Sequence, residues 1–247
     1  MIISVIGSGG KTTKIKQLKD QYLKEGKSVL ITTSTHMKIE ENTLVNPSYD
    51  EIINEIKKHG YVHAGSKAKN QKIKALDDEV LEKLKKEVDV ILIEADGSHG
   101  LPLKYPRNHE PVVDKDSNEI ILITSLKGLG KPVQDVVHGY QEMKVDGNQR
   151  VDSLFIQQLI NIYLKKISKY NVPIKIQVNG ASSLYEKALA SLLENQKEVT
   201  LINEEWFLPQ PKLVILGAGH VSQYVNKLAS ILDFYTIVID ERKEFAC

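Results

Sequence analysis

The chain has 247 residues, which is long enough for one large or two modest domains with a buried core. A composition of 41% hydrophobic residues is ordinary for a globular protein, and a net charge of +1 without a basic, aromatic-rich stripe argues against nucleic acid as a partner. The single cysteine, Cys247, excludes an internal disulfide and fits a reducing compartment. Neither a signal peptide nor an apolar run of membrane-spanning length is found, so we predict a cytoplasmic protein without a membrane partner.

Short runs rich in Val and Ile alternate with segments of helical period, in the order strand 2–6, helix 12–24, strand 28–33, helix 49–59, strand 61–64, helix 77–87, strands 89–94 and 119–124, helix 151–167, strand 174–178, helix 182–195, and strands 212–216 and 236–239. Most strands are continuously apolar, as expected for parallel strands covered on both faces. The pattern predicts an α/β fold with a doubly wound, mostly parallel sheet of the P-loop NTPase type at 1–204. A proline-containing linker at 205–211 and a partial Rossmann unit at 212–247 follow.

A glycine-rich loop lies between the first strand and the first helix, with the sequence Gly7-Ser8-Gly9-Gly10-Lys11-Thr12-Thr13. Glycines let backbone amides surround phosphate oxygens, and the helix N-terminus adds partial positive charge. In a P-loop, Lys11 would contact the β- and γ-phosphates, and Thr12 would ligate Mg²⁺. The end of the loop fits the P-loop pattern, whereas Val5 stands where the first glycine is expected. A plain strand–helix turn is the alternative.

Two carboxylates follow the apolar strand at 89–94. A P-loop protein needs an acidic residue near the end of a neighbouring strand to hold magnesium or its waters, and Glu94 and Asp96 are the candidates. The sequence does not decide which one faces the metal. It also leaves the base open between ATP, GTP and other triphosphates, because only Asn179 remains where guanine-specific proteins carry an Asn-Lys-x-Asp motif.

Polar residues follow two strands at the sheet edge where open α/β sheets bind ligands. His36 follows the second strand, and a segment with Lys104, Arg107, His109 and Glu110 follows the strand that ends near Glu94. We treat His36, Lys104, His109 and Glu110 as candidates for substrate or switch contacts. On composition alone the segment is expected to be a solvated loop. For the residues around His36 the alternative is a turn in which Ser and Thr side chains bond to their own backbone.

A second glycine loop, Gly217-Ala218-Gly219, follows the predicted linker and precedes a helix start. About 20 residues further, a strand ends in Asp240, as expected for a ribose-binding acid, although Ser222 replaces the third glycine. A weak dinucleotide site at Gly217, Gly219 and Asp240 is therefore predicted, with a ligand-free turn as the alternative. One βαβ unit cannot bury a core by itself, so either it docks on the sheet of the first domain or the native chain continues beyond Cys247; we favour the second alternative.

Several motifs together resemble the YqeC family over residues 1–205: the first glycine loop, Thr32-Thr33-Ser34-Thr35-His36-Met37, Glu94-Ala95-Asp96-Gly97, Pro102-Leu103-Lys104 and His109-Glu110-Pro111. The family's glycine loop also lacks the first glycine, so Val5 does not argue against the resemblance. The segments around Gly217 and Asp240 resemble the opening of an XdhC/CoxI Rossmann domain. The resemblance implies an accessory role in maturing selenium-dependent molybdenum hydroxylases, with the hydroxylase or its cofactor-assembly proteins as partners.

Three functions follow as hypotheses. The first is a Mg²⁺-dependent NTPase or phosphotransferase that binds ATP or GTP, in which Lys11, Asp96 and Glu94 are catalytic and Thr12 helps to hold the metal. The second is a non-catalytic, nucleotide-switched carrier or chaperone for the molybdenum cofactor, with a molybdopterin or a partner bound at the C-terminal unit. The third is an NAD(P)-dependent oxidoreductase built on Gly217 and Asp240.

Overall fold

The computed structural model describes residues 1–98, 100–194, 201–202, 205–206, 212–232 and 234–242. The chain divides into two compact units, Met1–Glu186 and Lys187–Cys247. Of the predicted linker at 205–211, only the short strand Glu205–Trp206 is within the described residues. The predicted continuation past Cys247 also concerns residues outside the described part, which ends at Arg242.

The strands are β1 (Ile2–Gly7), β2 (Val29–Thr33), β3 (His36–Lys38), β4 (Thr43–Val45), β5 (Tyr61–Lys67), β6 (Lys72–Lys74), β7 (Val90–Glu94), β8 (Leu103–Lys104), β9 (Glu119–Ser125), β10 (Val137–His138), β11 (Ile174–Asn179), β12 (Leu201–Ile202), β13 (Glu205–Trp206), β14 (Lys212–Leu216) and β15 (Tyr235–Ile239). The α-helices are α1 (Lys11–Lys24), α2 (Tyr49–His59), α3 (Asp78–Glu87), α4 (Val133–Val136), α5 (Ser153–Ile167), α6 (Leu184–Glu194) and α7 (His220–Ile231).

The first unit is built on a nine-stranded sheet in the order β11-β9-β1-β7-β2-β5-β6-β3, with β4 paired to β5. The strands from β11 to β5 run parallel, and β4 is also parallel to β5. Only β6 and β3 add antiparallel pairings among the described strands of this sheet. The predicted α/β fold with a mostly parallel sheet is therefore confirmed.

Both faces of the sheet are covered by helices. Side chains of successive strand residues point to opposite faces, so neighbouring residues of one strand pack against different helices. On one face, Ile121 of β9 packs in a cluster with Ile15 and Leu18 of α1. On the other face, Leu122 lines a small space together with Leu159 of α5. Burial of each such side chain contributes roughly 1.5–3 kcal/mol, which explains why continuous apolar runs form the central strands.

The predicted central strands and the long helices agree with the structure to within a few residues, but three short strands of the nine-stranded sheet were missed. These are β3, β4 and β6, each of three residues. Their alternating or half-exposed patterns are too short to give a periodic signal. In consequence His36, which was placed after the end of the second strand, begins β3 and pairs with Lys74 of β6.

The described part of the second unit contains the parallel pair β14 and β15 with α7 between them in the chain. This is the predicted strand–helix–strand arrangement. Gly217 follows β14 with a φ of 90°, a conformation that favours glycine. None of the described helices of the chain is both long and apolar enough to cross a membrane.

Gly7 is where β1 meets the glycine loop, and the structure predicts that it tolerates no side chain. Its φ is 87°, and a Cβ there would lie 2.0 Å from the Ile123 carbonyl oxygen. Gly26 has a similar φ of 73° but no neighbour within 4 Å of the added Cβ. Gly26→Ala should cost about 1–2 kcal/mol for the left-handed conformation alone. Gly7→Ala should cost at least about 3 kcal/mol, because the β9 backbone must also move.

Urea denaturation of the two variants beside the wild type measures both losses. Equal destabilisation would contradict the close approach of the glycine loop to β9.

Candidate functional site

The glycine loop adopts a conformation that requires its glycines. Gly9 and Gly10 have φ values of 81° and 136°, and a Cβ on Gly9 would lie 2.4 Å from the Cβ of Ser125. The Gly9 carbonyl accepts a 3.0 Å hydrogen bond from the Asn179 side-chain amide. The loop is therefore held against β9 and β11 by contacts that leave its opposite side open.

Five consecutive amides of this loop have no protein acceptor within the described part of the chain, those of Gly9, Gly10, Lys11, Thr12 and Thr13. The amides before them are used differently, because Gly7 donates to Asp96 at 3.2 Å and Ser8 donates to the Ile123 carbonyl at 2.8 Å. The first amides of any helix lack intrahelical partners. Here they combine with the two glycine amides into a concave row of donors suited to an anion.

Lys11 lies at the centre of this loop and is buried. Its ammonium donates to the Gly7 carbonyl at 2.7 Å and to the Ser98 hydroxyl at 3.3 Å. Burial lowers the pKa of Lys11, while the nearby Glu94 and Asp96 carboxylates oppose that shift. Thr12 and Thr13, in contrast, are exposed on the same open side.

Asp96 is fully buried, and both of its carboxylate oxygens are engaged by protein groups. Lys104 forms an ion pair with Oδ1, and the Tyr163 hydroxyl donates to Oδ2 at 2.5 Å. The Gly7 amide donates to the same Oδ2. Burial raises the pKa of Asp96 against the opposing effect of Lys104, and it raises that of Tyr163 well above the ordinary value. Asp96 thus fastens the loop that follows β7 to the glycine loop and to α5.

Lys104 is only 2% exposed, although its segment was expected to be a solvated loop. It lies in β8, and its ammonium pairs with Glu110 at 2.7 Å in addition to Asp96. Burial alone would raise the pKa of Glu110, but the hydrogen bonds from Lys104 and the Arg107 amide, together with the positive charge of Lys104, outweigh burial and lower the pKa. A buried ammonium must be paired in this way, because an isolated charge would cost several kcal/mol.

Glu94 differs from Asp96 in having no hydrogen-bond or ion-pair partner for its carboxylate among the described residues. It ends β7, is 9% exposed, and lines the same open cleft as Lys11 and Thr12. Burial raises the pKa of Glu94, and the Lys11 ammonium opposes the shift. An almost buried carboxylate without a partner is costly, so it marks a position where a cation can be received.

The cleft beside the glycine loop has a volume of about 2270 Å³. The predicted contact residues His36, His109 and Glu110 line it, as does Arg107, whereas Lys104 does not. His36 and His109 are exposed, so the structure leaves them available to a ligand in the cleft.

Two residues that support this site, Tyr163 and Asn179, were not predicted from the sequence. Tyr163 resembles an ordinary core residue of an amphipathic helix, and no local signal connects it with Asp96, 67 positions earlier. Asn179 was considered only as a remnant of a guanine-recognition motif, whereas its amide supports Gly9.

The described residues contain no group of three or more His, Cys, Asp or Glu side chains that could hold a metal ion by themselves. Magnesium in nucleotide sites is bound by one or two protein groups together with phosphates and waters, so this finding does not bear on the predicted Mg²⁺.

In the second unit, the Asp240 carboxylate accepts from the Ala218 amide at 2.6 Å and pairs with Arg242 at 2.8 Å. These contacts hold the pKa of Asp240 well below its usual range. The carboxylate predicted to bind ribose therefore lies beside the Gly217-Ala218-Gly219 loop, where it is already bonded.

The network around Asp96 makes a prediction about stability. Lys104→Met keeps most of the side-chain volume but leaves Asp96 and Glu110 facing each other without the ammonium, and should cost about 3–5 kcal/mol. Tyr163→Phe removes one donor from a carboxylate that keeps Lys104 and Gly7, and should cost only about 1–3 kcal/mol. Chemical denaturation at neutral pH measures both; a smaller loss for Lys104→Met than for Tyr163→Phe would contradict the central place of Lys104.

Comparison with known proteins agrees with the motifs of this site. The family model described as YqeC protein matches residues 3–141, which include the glycine loop, Glu94, Asp96, Lys104 and Glu110. The uncharacterized protein YqeC of Escherichia coli (strain K12) is 34% identical over 149 residues, or 57% of this chain. The aligned region spans 58% of the length of that curated relative. The chain belongs to the YqeC family.

Proposed function

We propose that this protein binds a nucleoside triphosphate with Mg²⁺ at the glycine loop and acts as an NTPase or phosphotransferase. The observation that carries the proposal is the row of five amides, from Gly9 to Thr13, that have no acceptor among the residues the structure describes and lie beside the buried Lys11. Such a row attracts a polyanion, and its position at the end of β1 and the start of α1 is the place where P-loops hold phosphates.

Lys11 is suited to neutralising charge on the β- and γ-phosphates. Its present acceptors, the Gly7 carbonyl and the Ser98 hydroxyl, are neutral groups. A phosphate oxygen is a stronger acceptor for an ammonium than either, since charge-assisted hydrogen bonds are about twice as strong as neutral ones. The lowered pKa of a buried lysine would return toward its usual value when an anion approaches.

Glu94 and Thr12 fit a magnesium ion better than Asp96 does. The Glu94 carboxylate lacks a partner among the described residues and lines the cleft with the exposed Thr12, whereas Asp96 has both oxygens engaged. When bound, magnesium would screen the phosphates and orient the terminal one. Thr12 would supply a direct oxygen ligand, and Glu94 would hold the ion or its waters. Asp96 would act as a positioning residue for the loop.

The biological setting belongs to the same proposal. Membership of the YqeC family supports an accessory role in maturing selenium-dependent molybdenum hydroxylases. The C-terminal unit, with its bonded Asp240 beside a glycine loop, is proposed as the start of an XdhC-like Rossmann domain. A dinucleotide or a molybdopterin would bind there, and a hydroxylase or its assembly proteins would be the partner.

Lys11→Ala should abolish nucleotide hydrolysis and weaken binding by at least about tenfold, because one desolvated ammonium–phosphate contact is lost. Calorimetric titration of ATP, GTP and CTP, each with Mg²⁺, measures binding, and phosphate release measures turnover. Lys14→Ala is the matched control, since Lys14 is on α1 but does not line the cleft.

Retained hydrolysis in Lys11→Ala would overturn the catalytic assignment. If nucleotide binding depends on Lys11 but the wild type hydrolyses nucleotide only at the background rate, the non-catalytic, nucleotide-switched carrier would become the preferred function.

Glu94 also gives a prediction about pH. Its pKa is raised by burial, so the carboxyl becomes neutral on acidification at a pH above the ordinary glutamate value of about 4.3. Affinity for Mg²⁺-nucleotide should fall as pH is lowered through that raised pKa, and Glu94→Gln should bind more weakly and lack this step. Titration of the nucleotide's own phosphate affects both proteins equally and so does not account for a difference between them.

The ionised Glu94 carboxylate is buried and therefore destabilises the fold, so Glu94→Gln should melt no lower than the wild type at neutral pH. Superimposable pH profiles of affinity would remove Glu94 from the metal site.

A further inference from the structure

The far side of the cleft carries a group of lysines with no part in the nucleotide site described above. They lie in β3, at the end of β5, in the turn after it and in β6; we call them the lysine arm, and they are Lys38, Lys67, Lys69, Lys72 and Lys74. Four of them are exposed and Lys72 is half-buried. All five line the same cleft as the glycine loop.

The ammonium groups of the lysine arm have no carboxylate partner among the described residues. Two of the three carboxylates that line the cleft are already paired elsewhere, Glu40 with Lys16 at 2.9 Å and Glu110 with Lys104 at 2.7 Å. The third, Glu94, lies at the end of β7 beside the glycine loop. With a net charge of only +1 over the whole chain, this unpaired positive charge is a local feature of one cleft wall.

The strand register brings like charges together in the arm. Lys38 of β3 is directly opposite Lys72 of β6. Side chains directly opposite each other in an antiparallel pair share one face, and like charges there are destabilising. The pairing therefore costs stability, which a bound anion would recover by neutralising both ammonium groups.

The cleft is large enough for the lysine arm to hold a ligand of its own beside the nucleotide. Sites for one small molecule have volumes of about 300–1,000 Å³. The cleft measures about 2270 Å³ and so has room for a second ligand beside a triphosphate on the glycine loop. A concave wall of one charge sign also concentrates anions from solution.

We infer that the lysine arm binds the phosphate groups of a second, small, multiply phosphorylated substrate next to the nucleotide. Lysine is a point-charge phosphate ligand, and two opposed ammonium groups match a di- or triphosphate better than a single carboxylate. The inference deepens the proposed function and rests on it for the identity of the neighbouring ligand, but not for the binding of phosphate by the arm.

Lys72→Glu tests the arm without disturbing the fold, because it converts the opposed Lys38–Lys72 pair into an attractive one. Calorimetric titration with inorganic pyrophosphate should give two binding events in the wild type. Lys72→Glu should weaken one of them by at least about tenfold at low salt, melt no lower than the wild type, and keep Mg²⁺-nucleotide binding. Lys11→Ala should weaken the other event and keep the arm event.

Lys86→Glu is the control for overall charge, since Lys86 is an exposed lysine of α3 that does not line the cleft. Equal pyrophosphate affinities in Lys72→Glu and Lys86→Glu would overturn the inference, whether or not nucleotide binds. Weaker pyrophosphate binding at the lysine arm in Lys72→Glu but not in Lys86→Glu would support the inference, even if the wild type bound no nucleotide. Absence of nucleotide binding in the wild type would overturn the proposed function and not the arm. A single-stranded oligonucleotide that bound more tightly than pyrophosphate through the arm would also overturn it, in favour of a polynucleotide surface.

Discussion

The structure of the site depends on the buried carboxylate of Asp96. It accepts from the Gly7 amide on the glycine loop and from Tyr163 on α5, and it pairs with Lys104 from β8. Three separate parts of the chain are thereby tied to one point immediately after β7. Because a buried charge must be paired and hydrogen-bonded, loss of the Lys104 ammonium is expected to weaken the whole arrangement, whereas loss of one neutral donor leaves the other contacts in place.

The same network separates the roles of the two carboxylates. Asp96 is satisfied by the protein, whereas Glu94, two residues earlier, lines the cleft without a partner in the described part of the chain. Lys11 is similarly buried between neutral acceptors, beside amides that have no acceptor among the described residues. A buried carboxylate and a row of amide donors, both without partners among the described residues, lower stability when no ligand is bound. Their juxtaposition is typical of a site that receives a charged ligand and its counter-ion.

The sequence predicted the central sheet well because its strands, such as β1, β7 and β9, contain short, mostly apolar runs of the kind typical of parallel strands covered on both faces. It also located the glycine loop and both carboxylates. It could not assign Glu94 and Asp96 separate roles, since these depend on where β7 ends and on Tyr163, 67 positions from Asp96. The burial of Lys104 was likewise hidden, because composition gives no sign that a polar segment carries a two-residue strand, β8, paired with β10.

The central claim is that the amides from Gly9 to Thr13 hold phosphate, and nuclear magnetic resonance tests it residue by residue. Amide proton shifts would be followed while ATP, GTP or CTP is added with Mg²⁺. One of these nucleotides should give its largest downfield shifts at the five amides from Gly9 to Thr13, which lack an acceptor in the described part of the chain, with much smaller changes at Gly7 and Ser8, whose amides already donate within the protein. Unchanged shifts at the five amides with all three nucleotides would contradict the claim and leave the loop a structural turn.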